Sequence, residues 1–221
     1  MRIEIPRNIT PQEAVELQQK LAPRVKRGVK LPKNISTIIG CDAAYVEGKT
    51  IAAAVAVDYK SLSLQRVETV IEDTGFPYVP GLLAFREGPP VLRAIHALHP
   101  ACHVCIVDGH GVAHPRKFGL ACFVGLSLNR PTIGVAKSLL FGEVVGGRVV
   151  DGEGVVIAEL MTLPSSGKRI YVSVGHKIRL QEATKVVEHC ITPLGPLPIR
   201  LAHEEVTRRK WQLKRSNPVS S

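Results

Sequence analysis

ISTIIGCDAAY (35–45), TIAAAVAVDY (50–59) and LSLQRVETVIE (62–72) follow one another with only short polar segments between them. Each stretch is rich in strand-forming residues, and the polar segments read as hairpin turns, so the three predict an antiparallel meander. Within the first stretch, Asp42 stands where the sequence otherwise reads as core, between Ile38, Ile39 and Cys41 on one side and Ala43 and Ala44 on the other. An ionised carboxylate is rarely buried without a partner. Asp42 therefore either faces outward or meets a cation.

Upstream, TPQE (10–13) offers Thr10 as an N-cap, Pro11 at the first helical position and Glu13 for a capping box, which predicts a helix to about Val25. Downstream, Leu82 to Leu98 carries apolar residues at helical spacing, with Pro89-Pro90 expected to split it into two helical pieces. CHVCIVDGHG (102–111) reads as a short apolar strand ending at Asp108 and a glycine-rich turn. FGLACFVGLSL (118–128) reads as a helix, and PTIGVAKS (131–138) as another strand and its loop. Between Glu143 and Val174 lies a second set of strands, followed by closing helices over Arg179–Cys190 and Ile199–Leu213. Without a linker, repeat or composition break, residues 1–221 read as one α/β domain, with 216–221 a loose tail.

The chain has 221 residues, of which 45% are hydrophobic and 22% charged, an ordinary globular composition. Lys+Arg of 29 against Asp+Glu of 19 gives a net charge of +10, which suits a polyanion: nucleic acid first, an acidic membrane surface second. No apolar run reaches the roughly 18 residues of a membrane span and the first residues lack a secretory h-region, so a cytoplasmic protein is expected. The five cysteines are scattered through apolar sequence. They read as reduced, buried thiols, and Cys102-x-x-Cys105 as core because no second pair follows. Collagenous, disulfide-scaffold and integral-membrane classes are excluded.

Asp108 repeats the pattern of Asp42 at the carboxyl end of a strand, before a Gly109-His110-Gly111 turn, where α/β sheets tend to place ligands. Glu87, in the helical stretch, could project to the same end, although alone it reads more simply as a solvated glutamate. Three carboxylates from separate elements suit a hard divalent cation such as Mg²⁺. In a basic protein that combination points to phosphodiester hydrolysis. Lys137 and His203 are then candidates to stabilise developing charge and to position water or metal. FPYVPG (76–81) is a stiff loop holding Tyr78 outward, suited to wedge beside a displaced base, or else a proline-rich turn around a core tyrosine. HPRK (114–117) and TRRKWQLKR (207–215) add charge for phosphates, though such runs are often only solvated faces.

IIGCDAAY, FPYVPGLLAFREGP, VDGHGVAHPRKFG, PTIGVAKS and PIRLAH, in this order and spacing, resemble the endonuclease V (deoxyinosine 3′ endonuclease) family over residues 38 to 203. The resemblance implies a ribonuclease-H-like mixed sheet flanked by helices. It also implies hydrolysis of the second phosphodiester bond 3′ to a hypoxanthine nucleotide in DNA, leaving 3′-hydroxyl and 5′-phosphate ends, with Mg²⁺ or, in its place, Mn²⁺. By motif, Asp42, Asp108 and Glu87 would be the metal carboxylates, Lys137 and His203 would complete the catalytic set, and Tyr78 would be the strand-separating wedge. Pro80 lies beside that wedge, and the flipped base would meet backbone groups near Gly81, Leu83, Gly109, Gly111 and Leu140, with His114 close by. Backbone N–H donors aimed at O6 separate hypoxanthine from adenine, which carries an amine there.

The chain departs from the family pattern in few places. Val79 replaces the commoner isoleucine, 146–154 is short, PLPIRLAH stands where many members read PEPTRLAH, and Val174 replaces the proline of an SPGH loop in which His176 is assigned no catalytic role. Inosine-containing RNA is the alternative substrate, a structure-selective nuclease of the same fold a more distant one, and a non-catalytic binding module the reading from another class. A monomer is expected.

Overall fold

The three expected strands open a nine-stranded mixed sheet in the computed structural model, which describes residues 3, 5, 6, 8–98 and 103–216. Strand β1 (Thr37–Val46) pairs antiparallel with β2 (Lys49–Asp58), and β2 with β3 (Leu64–Asp73). Glu47 and Gly48 form the first turn, with φ of 47° and 75°. Two positive φ values in a two-residue hairpin match the right-handed twist of the flanking strands. On its other side β1 runs parallel to β4 (Val104–Asp108), which runs parallel to β5 (Thr132–Ala136).

Parallel neighbours need crossovers. These contain α2 (Leu83–Leu98) before β4 and α3 (Leu120–Leu128) before β5. The later strands β6 (Glu143–Val145), β7 (Arg148–Val150), β8 (Val156–Thr162) and β9 (Arg169–His176) form an antiparallel set that joins β5 through β9. Strand order is β3-β2-β1-β4-β5-β9-β8-β7-β6. Helices α1 (Pro11–Leu21), α4 (Leu180–His189) and α5 (Leu197–Ser216) complete the domain, with a two-stranded ribbon of β10 (Ile191–Thr192) and β11 (Gly195–Pro196) before α5. This antiparallel meander followed by parallel strands, under helices, is the ribonuclease-H-like arrangement.

β2 explains its own composition. Ala52, Ala54 and Ala56 join the main core with Phe85, Val91 and Ala94 of α2, while Ile51, Ala53, Val55 and Val57 pack on the opposite face with Ala202 and Val206 of α5. A strand covered on both faces reads as an unbroken apolar run. Small residues let the helices sit close. At Gly40 on β1 a Cβ would lie 2.1 Å from the carbonyl carbon and oxygen of Pro198, so glycine sets how near α5 begins to the sheet.

The N-terminal capping box forms, Thr10 Oγ1 accepting from the Glu13 N–H and Glu13 Oε2 from the Thr10 N–H, and the helical path to residue 24 ends in a single tightened turn. The split at Pro89-Pro90 does not occur, and α2 is one helix with both prolines inside. They remove the i+4 donors of the Phe85 and Arg86 carbonyls. Burial of Ala84, Phe85, Val91, Ala94, Ile95 and Leu98 along one side offsets that loss. Cys102, and with it the start of the CHVC strand, lies outside the described residues, as does 217–221; Cys105 is buried core.

Candidate active site

Strand register assembles the site. In the β1 and β4 ladder Cys41 lies opposite Val107, so one step further Asp42 and Asp108 stand side by side. In the β4 and β5 ladder Asp108 lies opposite Val135, and Lys137 follows two residues later, on the side of the chain that Val135 occupies. Lys137 Nζ is 2.6 Å from Asp108 Oδ2. From above, α5 delivers His203, whose Nδ1 is 2.8 Å from Asp42 Oδ2. Asp42, Asp108 and His203 each present one ligand atom, and these atoms all lie within 4.8 Å of one another.

The electrostatics fit a cation site. Burial and the neighbouring Asp42 charge push the Asp108 carboxyl up, against the pull of Lys137. Burial disfavours the Lys137 ammonium, but Asp108 more than compensates and its pKa ends above the ordinary value. The hydrogen bond to Asp42 raises His203. Two crowded acids, answered by a lysine, an imidazole and the Ala43 N–H, form a donor set that a hard, oxygen-seeking divalent ion would relieve.

Glu87 stands apart from this trio. It is only 7% exposed, and its Oε1 accepts from the Tyr45 hydroxyl at 2.7 Å. Burial, with added repulsion from Asp42 and Asp108, raises its pKa to about 8. The Arg86 guanidinium lies over the Tyr45 ring, 4.1 Å from its centroid, and donates to the Phe76 carbonyl at 2.9 Å. One side-chain chain thus links β1, the carboxylate of Glu87 and the root of the 76–81 loop.

That loop holds Tyr78 out at 71% exposure, which excludes the core-tyrosine reading. Its end is fixed at Gly81, φ 78°, whose carbonyl lies within hydrogen-bonding distance of Gln18 Nε2 (3.0 Å), the Arg116 guanidinium (2.8 Å) and His114 Nε2 (2.9 Å). Gln18 also donates to the Phe118 carbonyl at 2.8 Å and accepts from Arg116 Nε at 2.5 Å. Burial lowers His114 to about 4, so its ring is neutral at ordinary pH. Arg116 is therefore structural, and Lys117 pairs with Asp151 at 3.1 Å. Both charges of HPRK thus have partners within the chain, on partly exposed side chains.

The residues expected around a flipped base fall into two groups. Pro80, Gly81 and Leu83 lie at the amino end of α2, where a helix has unbonded N–H groups. Leu140 sits partly exposed in the loop after β5, which His110 Nε2 meets through the Ser138 carbonyl at 3.0 Å. The N–H groups of Gly109 and Gly111 are already engaged, with the Val135 carbonyl at 3.0 Å and Ser173 Oγ at 2.8 Å. His176 is buried and accepts from the Lys26 N–H at 3.2 Å, an ordering contact.

Sequence reading passed over Tyr45, Arg86, Gln18 and Ser173. Gln18 left a signal: it shares the buried face of α1 with Ala14 and Leu21, a polar residue at an apolar helical position. Tyr45 and Ser173 left none, because their partners are distant in sequence.

The family model of endonuclease V matches residues 19–204. The chain belongs to the endonuclease V family. Endonuclease V of Desulfurococcus amylolyticus is 42% identical over 201 residues, 86% of this chain and 91% of that one. Endonuclease V of Thermus thermophilus is 37% identical over 215 residues, 92% and 95% of the two chains. Among solved structures, endonuclease V of Streptomyces avermitilis matches with a TM-score of 0.87 at 34% identity, over 96% of this chain and 98% of that one. Ciona intestinalis endonuclease V, solved with a 24mer DNA containing an inosine followed by a ribo-adenosine, matches with a TM-score of 0.84 at 26% identity, over 91% and 98%. The chain is thus a nuclease by family, and the acidic cluster is where an endonuclease V metal site is to be sought.

Proposed function

We propose that the protein is a metal-dependent repair endonuclease that recognises deoxyinosine in DNA and hydrolyses the second phosphodiester bond 3′ to it, leaving 3′-hydroxyl and 5′-phosphate ends. The observation that carries this reading is the convergence of Asp42, Asp108 and His203 within 4.8 Å, beside Lys137, in a chain of the endonuclease V family. Asp42 and Asp108 would hold Mg²⁺, or Mn²⁺ in its place, with Glu87 as the third carboxylate behind them. Such an ion supplies charge neutralisation at the scissile phosphate and a lowered pKa for the attacking water.

The chain's own residues do the rest. Lys137 stands beside Asp108 as a cation for the charge that develops on the phosphate. His203, held by Asp42, orients a water or passes a proton at its free ring nitrogen, Nε2. Tyr78 fills the stack vacated by the displaced base, and the amino end of α2 with the Leu140 loop encloses that base. With Gly109 and Gly111 donating internally and the Leu82 N–H held by the Val79 carbonyl, the donor for hypoxanthine O6 at the α2 end is the Leu83 N–H.

Inosine in RNA is the second reading, because the Ciona relative was solved with an inosine followed by a ribonucleotide. Purified protein with Mg²⁺, given end-labelled strands bearing one deoxyinosine in DNA or one inosine in RNA, tests both. A cut one nucleotide past the lesion in DNA supports the proposal. Stronger cutting of RNA transfers the function to inosine-RNA processing, and metal-independent binding with no cut removes the enzyme reading. In this proposal the protein works as a cytoplasmic monomer.

A further inference from the structure

Helix α5 begins at the metal cluster and leads away from it. His203, Thr207, Lys210 and Lys214 recur at i, i+4, i+7 and i+11, a single helical face, with Trp211 at its edge. The acids of the helix are occupied elsewhere: Glu204 pairs with Arg200, and Glu205 with Arg208, Arg209 and the Thr69 hydroxyl. Among the described residues Lys210, Lys214 and Arg215 form no ion pair, so the stripe is positive from His203 outward. Trp211 is 64% exposed, with Lys214 Nζ 5.8 Å from the centre of its ring. Trp211 thus meets only the Lys214 ammonium near its ring, and an exposed π face beside two lysines that form no ion pair among the described residues suits a nucleotide and its phosphates.

We infer that this stripe is a track for the nucleic-acid segment flanking the scissile phosphate, Lys210 and Lys214 meeting backbone phosphates and Trp211 packing on the nucleotide between them. The inference rests on the nuclease reading above and extends it beyond the base pocket. At ~1.5 Å per residue, Trp211 lies about 12 Å and Lys214 about 16 Å along the axis from His203. At ~3.4 Å per nucleotide along a strand, that is about four to five nucleotides from the cut. The net charge of +10 favours nucleic acid over any acidic protein of smaller charge density.

The test measures affinity in an Asp108→Ala background, for duplexes carrying deoxyinosine or adenosine at one position, across a salt series. With long flanks, adding Lys210→Ala/Lys214→Ala should lower the slope of log K against log salt by about 2, and Trp211→Ala should weaken binding by about five- to a hundredfold. Trimming one flank to about two nucleotides should abolish both effects and trimming the other should not. Lys168→Ala/Lys185→Ala, equal in charge but off the helix, should leave the slope unchanged, and matching thermal melts establish that all variants fold. An unchanged slope in the stripe variant, or effects indifferent to both flanks, overturns the inference. Loss of the inosine preference in the parent protein would instead sink the deoxyinosine reading, while stripe effects on both duplexes would still support the track.

Discussion

The Tyr45 hydroxyl donates to Glu87 Oε1 at 2.7 Å, joining the strand that carries Asp42 to the most deeply buried carboxylate near the metal cluster. A buried acid with one neutral donor stays protonated further up the pH scale than a free glutamate. Removing the donor by Tyr45→Phe should raise the Glu87 pKa still further. If Glu87 serves as a ligand, the variant then needs more Mg²⁺ for half-maximal cleavage near neutral pH, and the gap closes as pH rises. Metal titrations of cleavage at several pH values check this; a gap independent of pH refutes it.

The same carboxyl sets a pH dependence of stability. Its folded pKa of about 8 exceeds the ordinary 4.5, so the folded state binds the extra proton between those values. Stability from this group is fully present below about 4.5 and is lost as pH rises through about 8. Metal-free protein should therefore melt at lower temperature at alkaline pH, Glu87→Gln should flatten that decline, and Mg²⁺ should offset it in the parent. Thermal melts across pH, with chelator or with Mg²⁺, provide the check.

Asp108→Asn keeps the shape of the site and removes a charge that both Lys137 and the proposed metal require. Cleavage should fall by more than the roughly 100-fold that outer-shell metal partners cost, while affinity for inosine DNA is retained. Single-turnover cleavage and binding measured on the same substrate separate the two. Loss of binding in step with cleavage would assign Asp108 to recognition instead.

Tyr78 is exposed and touches little, so Tyr78→Ala should leave stability within about 0.5 kcal/mol. Affinity for inosine duplex should drop by ~1–3 kcal/mol, the worth of one base stacked on an aromatic ring. Denaturant unfolding and binding titrations measure each. A large stability loss would mean that the ring supports the loop and is not a wedge.

Gln18 binds the Gly81 and Phe118 carbonyls and the Arg116 guanidinium at once. Gln18→Leu fits the volume but leaves the Phe118 carbonyl and Arg116 Nε without this partner, while Gly81 keeps Arg116 and His114, at a cost of ~1–3 kcal/mol in stability. Because Gly81 ends the Tyr78 loop, discrimination between inosine and adenosine duplexes should narrow as well. Urea midpoints and paired binding assays report the two effects, and intact discrimination would limit Gln18 to stability.

Sequence alone determined the local elements and the chemistry they carry. The strand-forming stretches of 35–72, split by short polar segments, specified the meander, TPQE the first cap, and the placement of Asp42 and Asp108 in apolar strands marked them as anomalies, since local propensity and burial patterns depend on nearby residues. Tertiary structure decided what those residues meet. Strand register set Asp42 beside Asp108, and the glycine gap at Gly40 let α5 bring His203 to Asp42 from 161 positions away. It also kept α2 whole through two prolines, because buried surface along the helix outweighed the lost hydrogen bonds. Gln18 stands out as a polar residue at an apolar helical position, but that it meets Gly81, like the link from Tyr45 to Glu87, leaves no trace in a sequence, for such partners arise only when separate elements pack and a buried polar group must find whatever the packing supplies.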